Sequence, residues 1–164
     1  MIKIRRANKE DFEAYIALHN QLEKSQLNMI NQILKKMMAP ISDKKKIKNW
    51  HRNLYNKYLI KKDFVTLFAI DKDRIVGFIE LQKRPSLPIH KVGCVGDICN
   101  LVVDKKYEGK GIAGLLKKES DKWFKKKKCK LVSISTYVEN KRSLIIYKKW
   151  GFLPCNQVMI RELK

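Results

Sequence analysis

The stretch Leu101-Val-Val-Asp-Lys-Lys-Tyr-Glu-Gly-Lys-Gly-Ile-Ala-Gly-Leu-Leu116 passes from apolar, strand-like residues through a short charged turn into a glycine-rich helix start. Gly109, Gly111, Ala113 and Gly114 carry little or no side chain. Successive backbone N–H groups can therefore converge on one anion, and the positive end of the helix helps to hold it. Lys105, Lys106 and Lys110 add positive charge. Glycines also serve simply to permit a tight turn, but three within six residues at a strand-to-helix junction point to a phosphate cradle. Gly109-Lys-Gly111-Ile-Ala-Gly114 has the G-x-G-x-x-G spacing of dinucleotide-binding folds. In those folds the glycines begin almost at the strand end, whereas Asp104 to Glu108 intervene here, and too few β-α units follow residue 95. The G-x-x-x-x-G-K-[ST] pattern of P-loop proteins is absent.

Outward from this segment, Val95 to Val103 reads as a strand, apolar except at Asp97 and Asn100. A helix follows from Lys110 to Lys126, with Ile112, Leu115, Leu116, Trp123 and Phe124 on one face. Upstream, Phe64–Ile70 and Arg74–Gln82 make a hairpin across Asp71-Lys72-Asp73, and Pro85 and Pro88 turn the next segment into a loop. Residues 2–7 form a first strand. Asn8 or Asp11 caps a helix running to Lys24 with Phe12, Tyr15, Ile16, Leu18 and Leu22 on one side. A second helical pattern covers 26–38 and stops at Ala39-Pro40; Ser42 and Asp43 then cap a run through Ile47, Trp50, Leu54, Tyr58 and Leu59. Downstream come a strand over Leu131–Val138, a helix over 141–150 and a closing strand over Asn156–Leu163. The order is β-αα-β-β-β-α-β-α-β, an α/β (α+β) arrangement expected to form one domain across residues 1–164.

The 164 residues are 45% hydrophobic, enough for one core and too much for a disordered chain. No apolar run approaches the roughly 18 residues of a membrane span, and Met1-Ile-Lys-Ile-Arg-Arg6 alternates like a strand rather than a signal peptide. The net charge of +21 attracts anions, whether nucleic acid, a phosphorylated cofactor or an acidic substrate. Of 37 basic residues only seven are Arg, the residue whose planar fork reads phosphates and bases, so compositional drift explains the excess better than a dedicated nucleic-acid surface. The Lys125–Lys128 run at a helix end reads as a solvated surface favoured by the helix dipole. Cys94, Cys99, Cys129 and Cys155 form no C-x-x-C, and His19, His51 and His90 stand at no ligand spacing from them, so no metal is expected. Cys99 and Cys129 read as buried thiols, and reduced cysteines suit a cytoplasmic location.

The element order, together with Val103-Asp-Lys-Lys-Tyr-Glu-Gly-Lys-Gly-Ile-Ala113, resembles the GCN5-related N-acetyltransferases, the GNAT superfamily. The family's coenzyme A motif Q/R-x-x-G-x-G/A falls on Glu108 to Ala113, and its N-x-x-[AS]-x-x-x-Y-x-x-x-G-F signature on Asn140, Ser143, Tyr147, Gly151 and Phe152. Glu108 departs from the pattern, since a carboxylate repels pyrophosphate; the resemblance leaves that anion to the backbone of 109–114 and to Lys110.

The resemblance implies a mixed, mostly antiparallel sheet flanked by helices. It also implies direct transfer of acetyl from acetyl-CoA, as co-substrate, to an amine, which requires a base, an oxyanion donor and an acid for the leaving thiolate. Asp97 matches the family's strand base, with flanking Val95, Ile98 and Cys99 expected to raise its pKa, and Glu80 is the alternative, acting through water. Tyr147 matches the acid. The coenzyme-binding set implied is Leu101, Val102, Val103, Gly109, Lys110, Gly111, Ile112, Ala113, Gly114, Asn140 and Ser143, with the Leu101 amide as oxyanion donor. The expected partners are acetyl-CoA and a primary amine of a small molecule, amino acid or protein, in a monomer or homodimer. The competing reading is a non-catalytic basic module that binds nucleic acid or nucleoprotein.

Overall fold

The computed structural model describes residues 1–40, 42–86, 89 and 91–161. Pro88, His90 and the last two residues of the expected closing strand lie outside them. Five strands, β1 (Ile2–Arg6), β2 (Phe64–Asp71), β3 (Arg74–Pro85), β4 (Cys94–Val103) and β5 (Leu131–Ile134), form one sheet in sequence order. Neighbours are antiparallel from β1 to β4, and β5 runs parallel to β4. The parallel step needs a crossover, which α4 (Ile112–Lys126) supplies.

Helix α4 covers one face of the sheet. Leu116, Trp123 and Phe124 pack there on Val65, Leu67, Val76, Ile79, Leu81 and Ile98. Gly96 permits this approach: a Cβ at that position would stand 2.4 Å from the Phe124 ring. On the other face lie α1 (Phe12–Met29) and α3 (Lys44–Ile60), where Phe12, Tyr15, Leu18 and Tyr55 meet Phe68, Phe78 and Val102. The middles of β2 and β3 are thus buried on both faces, as their unbroken apolar runs require. Each such fully buried side chain contributes about 1.5–3 kcal/mol.

The caps explain the helix ends. Asn8 and Asp11 form a capping box, and Asp43 accepts from the Lys46 amide at 2.9 Å. The first helix does not stop at Lys24 but runs to Met29; the break falls at Ile30-Asn31, where the Asn31 side chain caps α2 (Gln32–Met38). Helix α5 (Lys141–Lys149) ends in a Schellman motif. Gly151 (φ +87°) donates to Lys148 O and Phe152 to Tyr147 O, both at 3.0 Å, which is what the Gly-Phe pair of the signature does here.

Two strand expectations are corrected. β5 ends at Ile134, not Val138, because its partner β4 turns aside after Ile98. The closing strand is absent over 156–161, where the chain is irregular and exposed. Alternation of side chains suits a strand, but a strand forms only against an edge that accepts it.

Candidate active site

The end of β4 is where the sheet opens. β3 pairs with β4 at both ends, from Gly77 opposite Val103 to Pro85 opposite Cys94, but β5 pairs only with Val95–Ile98. Across from β3, Glu80 opposes Asn100 and Leu81 opposes Ile98, so Cys99 is an extra residue. Such a bulge bends its strand and strengthens the local twist. It explains why β5 parts from β4 at this residue and why Cys99 is exposed rather than buried as expected. Beyond it, residues 99–103, including Leu101, Val102 and Val103, have no strand partner on the β5 side. An extended ligand can pair with such an edge as an added strand.

The glycine segment starts where that edge ends. Asp104 closes the turn over 105–107: it accepts from the Lys106 amide at 3.0 Å and pairs with Arg74 at 3.1 Å. Gly109 (φ +77°) and Gly111 (φ +76°) are both left-handed. A Cβ at Gly109, Gly111 or Gly114 would meet no atom within 4 Å, so the space beside the loop is open. Gly111 caps α4 without a side chain, and the first bond of the helix is Leu115 N–H to Gly111 O. The amides of Ile112, Ala113 and Gly114 therefore have no carbonyl within the helix, while the buried Ile112 side chain anchors the turn. The Lys110 ammonium lies 4.5 Å from the centroid of the Tyr107 ring. Glu108 is ion-paired with Arg142 at the start of α5, which neutralises the charge that set it apart from the motif.

The two candidate bases differ sharply. Desolvation pushes the Asp97 carboxyl up, but hydrogen bonds from Arg84 and Ser133 and the Arg84 charge outweigh it and hold the group below the usual carboxylate range. Arg84 grips it with two nitrogens, one at 2.9 Å. The expected rise is thus corrected to a fall, and Asp97 is an ion-paired carboxylate. Glu80 is fully buried, and desolvation raises its pKa despite the Asn100 amide, which donates to Oε2 at 2.7 Å. Its Oε1 has no partner. The hydroxyls of Tyr15 and Thr66 face this carboxyl, yet neither makes a hydrogen bond of good geometry.

Asn140 caps α5, accepting from the Ser143 amide at 3.0 Å. Tyr147 is half-buried beside Trp150 and Phe152, with ring centroids at 5.8 and 6.2 Å. Desolvation raises its pKa, and the Ser143 hydroxyl partly opposes the rise. Among the described residues it makes no hydrogen bond to Glu80 or Asp97. Asn100 was visible beforehand only as a polar residue in an apolar strand; Arg84, Tyr15 and Thr66 gave no signal.

The fold has counterparts among known proteins. The model of the acetyltransferase (GNAT) family matches residues 28–152. An uncharacterized N-acetyltransferase of Methanocaldococcus jannaschii, MJ1207, is 29% identical over 116 residues, 65% of this chain and 47% of that protein, so the chain spans about half the length of this relative. The BH1408 protein from Bacillus halodurans, solved as a tetramutant, superposes with a TM-score of 0.81 at 19% identity, covering 98% of this chain and 99% of that one. The aminoglycoside N-acetyltransferase AAC(6')-Iy, solved in complex with CoA, superposes at 0.76 with 18% identity over 100% and 95% of the two chains. With the family model covering most of its length, this chain belongs to the GNAT acetyltransferase family.

Proposed function

We propose that the protein is an acetyl-CoA-dependent N-acetyltransferase, acting as one domain on a primary amine. The observation that carries this reading is the open cradle of Gly109–Gly114 at the end of a β4 edge that β5 leaves free. The cradle offers amides and a helix end to a pyrophosphate, and the edge offers peptide groups to an amide-bearing arm. The CoA complex of AAC(6')-Iy, a protein of the same fold, supports the choice of ligand.

Acetyl-CoA supplies the thioester: the amine nitrogen bonds to its carbonyl carbon, the C–S bond breaks, and CoA leaves as thiolate. Glu80 takes the ammonium proton through water, because its raised pKa and unpartnered Oε1 leave it able to accept. Asn100 holds the other oxygen and so fixes the carboxyl plane. The Leu101 amide donates to the carbonyl oxygen as charge develops there. Tyr147 gives its phenolic proton to the departing sulfur. Asp97 positions β4 against β5 and β3 through Ser133 and Arg84 and takes no proton. Val102, Val103, Lys110, Asn140 and Ser143 line the coenzyme path.

The acceptor is a small amine, an amino acid or a protein amine. Net charge +21 disfavours a polycation. Nothing favours the nucleic-acid reading: Lys127, in the lysine run, pairs with Asp63 and packs over Trp123. No helix among the described residues is long and apolar enough to cross a membrane, and four free cysteines support a reducing cytoplasm. The test is thiol release from acetyl-CoA across a panel of amines, amino acids and peptides. Release that depends on one amine class supports the reading, and release no faster than hydrolysis with every class refutes it.

A further inference from the structure

On the face of the sheet opposite α4, His19 and Glu23 lie one turn apart on α1, and His51 reaches them from α3. Glu23 Oε1 stands 3.3 Å from His19 Nδ1 and 3.3 Å from His51 Nε2. One ligand atom from each of the three lies within 4.8 Å of the others. His19 is 7% exposed and His51 1%, with ring centroids 4.6 Å apart. His19 Nδ1 makes no hydrogen bond to the nearby carboxylate, and His51 Nδ1 is buried without a partner. Buried imidazole nitrogens normally find one.

We propose that His19, Glu23 and His51 form a binding site for one zinc-like divalent cation. Ligand atoms bound tetrahedrally at about 2.0–2.1 Å stand about 3.3 Å apart, the separation of Glu23 from each histidine. At His19, proximity to the carboxylate without hydrogen-bond geometry suits two ligands of one cation better than a donor and its acceptor. Two imidazoles and a carboxylate suit Zn2+ and not Mg2+ or Ca2+, which prefer all-oxygen shells. Three protein ligands leave a fourth position. Glu23 and His51 open onto a cavity of about 310 Å³ between α1, α2 and α3, which gives the cation a route in and that position a solvent face. Lys46 lines the cavity as well, and the Glu23 carboxylate is the charge nearest the cation. The cation would clamp α1 to α3. His19 stacks over Phe78, two residues from Glu80 on β3, so the clamp sits beside the proposed base without using any residue assigned to acyl transfer.

The probe is Zn2+ itself, by equilibrium dialysis against chelator-stripped full chain, with Co2+ absorption as the spectroscopic reporter. One Zn2+ per chain is expected, and the Co2+ form should show d–d bands without a thiolate charge-transfer band. Glu23 is half-exposed, so Glu23→Gln should fold and weaken binding more than about 100-fold, beyond the loss of an outer-shell partner. The Cys94→Ser/Cys129→Ser variant, which removes the one close thiol pair among the described residues, should bind as wild type does. The proposal is overturned if no stoichiometric Zn2+ binds, if Glu23→Gln binds equally well, or if a thiolate band places the metal on the cysteines.

Discussion

Replacing Glu80 by Gln separates catalysis from stability. The substitution preserves shape. The new side-chain oxygen can keep the Asn100 hydrogen bond now at 2.7 Å, and the new NH2 faces the unpartnered hydroxyls of Tyr15 and Thr66. Each hydrogen bond so gained is worth about 0.5–1.5 kcal/mol. Burial raises the pKa of Glu80 in the folded state above its unfolded value, so the folded state favours the protonated carboxyl. Its contribution to stability is fully present below the unfolded pKa and is lost as pH rises through the folded one. Glu80→Gln, which cannot ionise, escapes that loss. Chemical denaturation across pH should therefore find the variant at least as stable as wild type near pH 4 and increasingly more stable toward pH 8. Turnover should fall by about 10²–10⁴, the usual contribution of a positioned base, and the rising limb of the wild-type pH–rate profile should disappear. Full turnover in Glu80→Gln would refute the base assignment. A loss of stability at neutral pH would refute the reading of Glu80 as a desolvated carboxylate.

Tyr147→Phe should lower turnover while leaving acetyl-CoA affinity nearly intact, since the ring keeps its packing on Trp150 and Phe152; calorimetric titration beside steady-state kinetics checks this. Gly111→Ala forces an L side chain to φ +76° and should cost about 1–2 kcal/mol, read as a lower melting temperature together with weaker coenzyme binding. Asp97→Asn should remove stability that is present above the unfolded carboxylate value and lost as pH falls through the depressed folded one, while the shape of the pH–rate profile stays unchanged.

The coenzyme side of the site was legible because its chemistry is local. Each of its motifs is set by a few neighbouring residues: Gly109 and Gly111 take positive φ at the strand-to-helix turn, Asn140 caps α5, and Gly151 and Phe152 close its last turn. The acceptor side was not. Period-two reading along β4 could not detect the bulge at Cys99, so Cys99 looked buried. Arg84, which settles the state of Asp97, arrives from another strand across a loop. His19 and His51 meet only because α1 and α3 pack on the same sheet face, and no sequence spacing encodes that. The closing strand failed for a related reason: the pattern was there, but no described edge receives it over 156–161.

Thermal unfolding with acetyl-CoA at moderate salt, with ATP and NAD as anionic controls, tests the central claim most directly. A ligand at about 100 times its dissociation constant adds about 2.7 kcal/mol, a shift of several degrees for a chain of this size. The predicted result is a rise with acetyl-CoA that persists in salt, is far smaller with ATP or NAD, and is lost in Gly111→Ala. Equal rises with all three, abolished by salt, would mean that the charge of the chain collects anions without a coenzyme site and would contradict the assignment of the Gly109–Gly114 cradle.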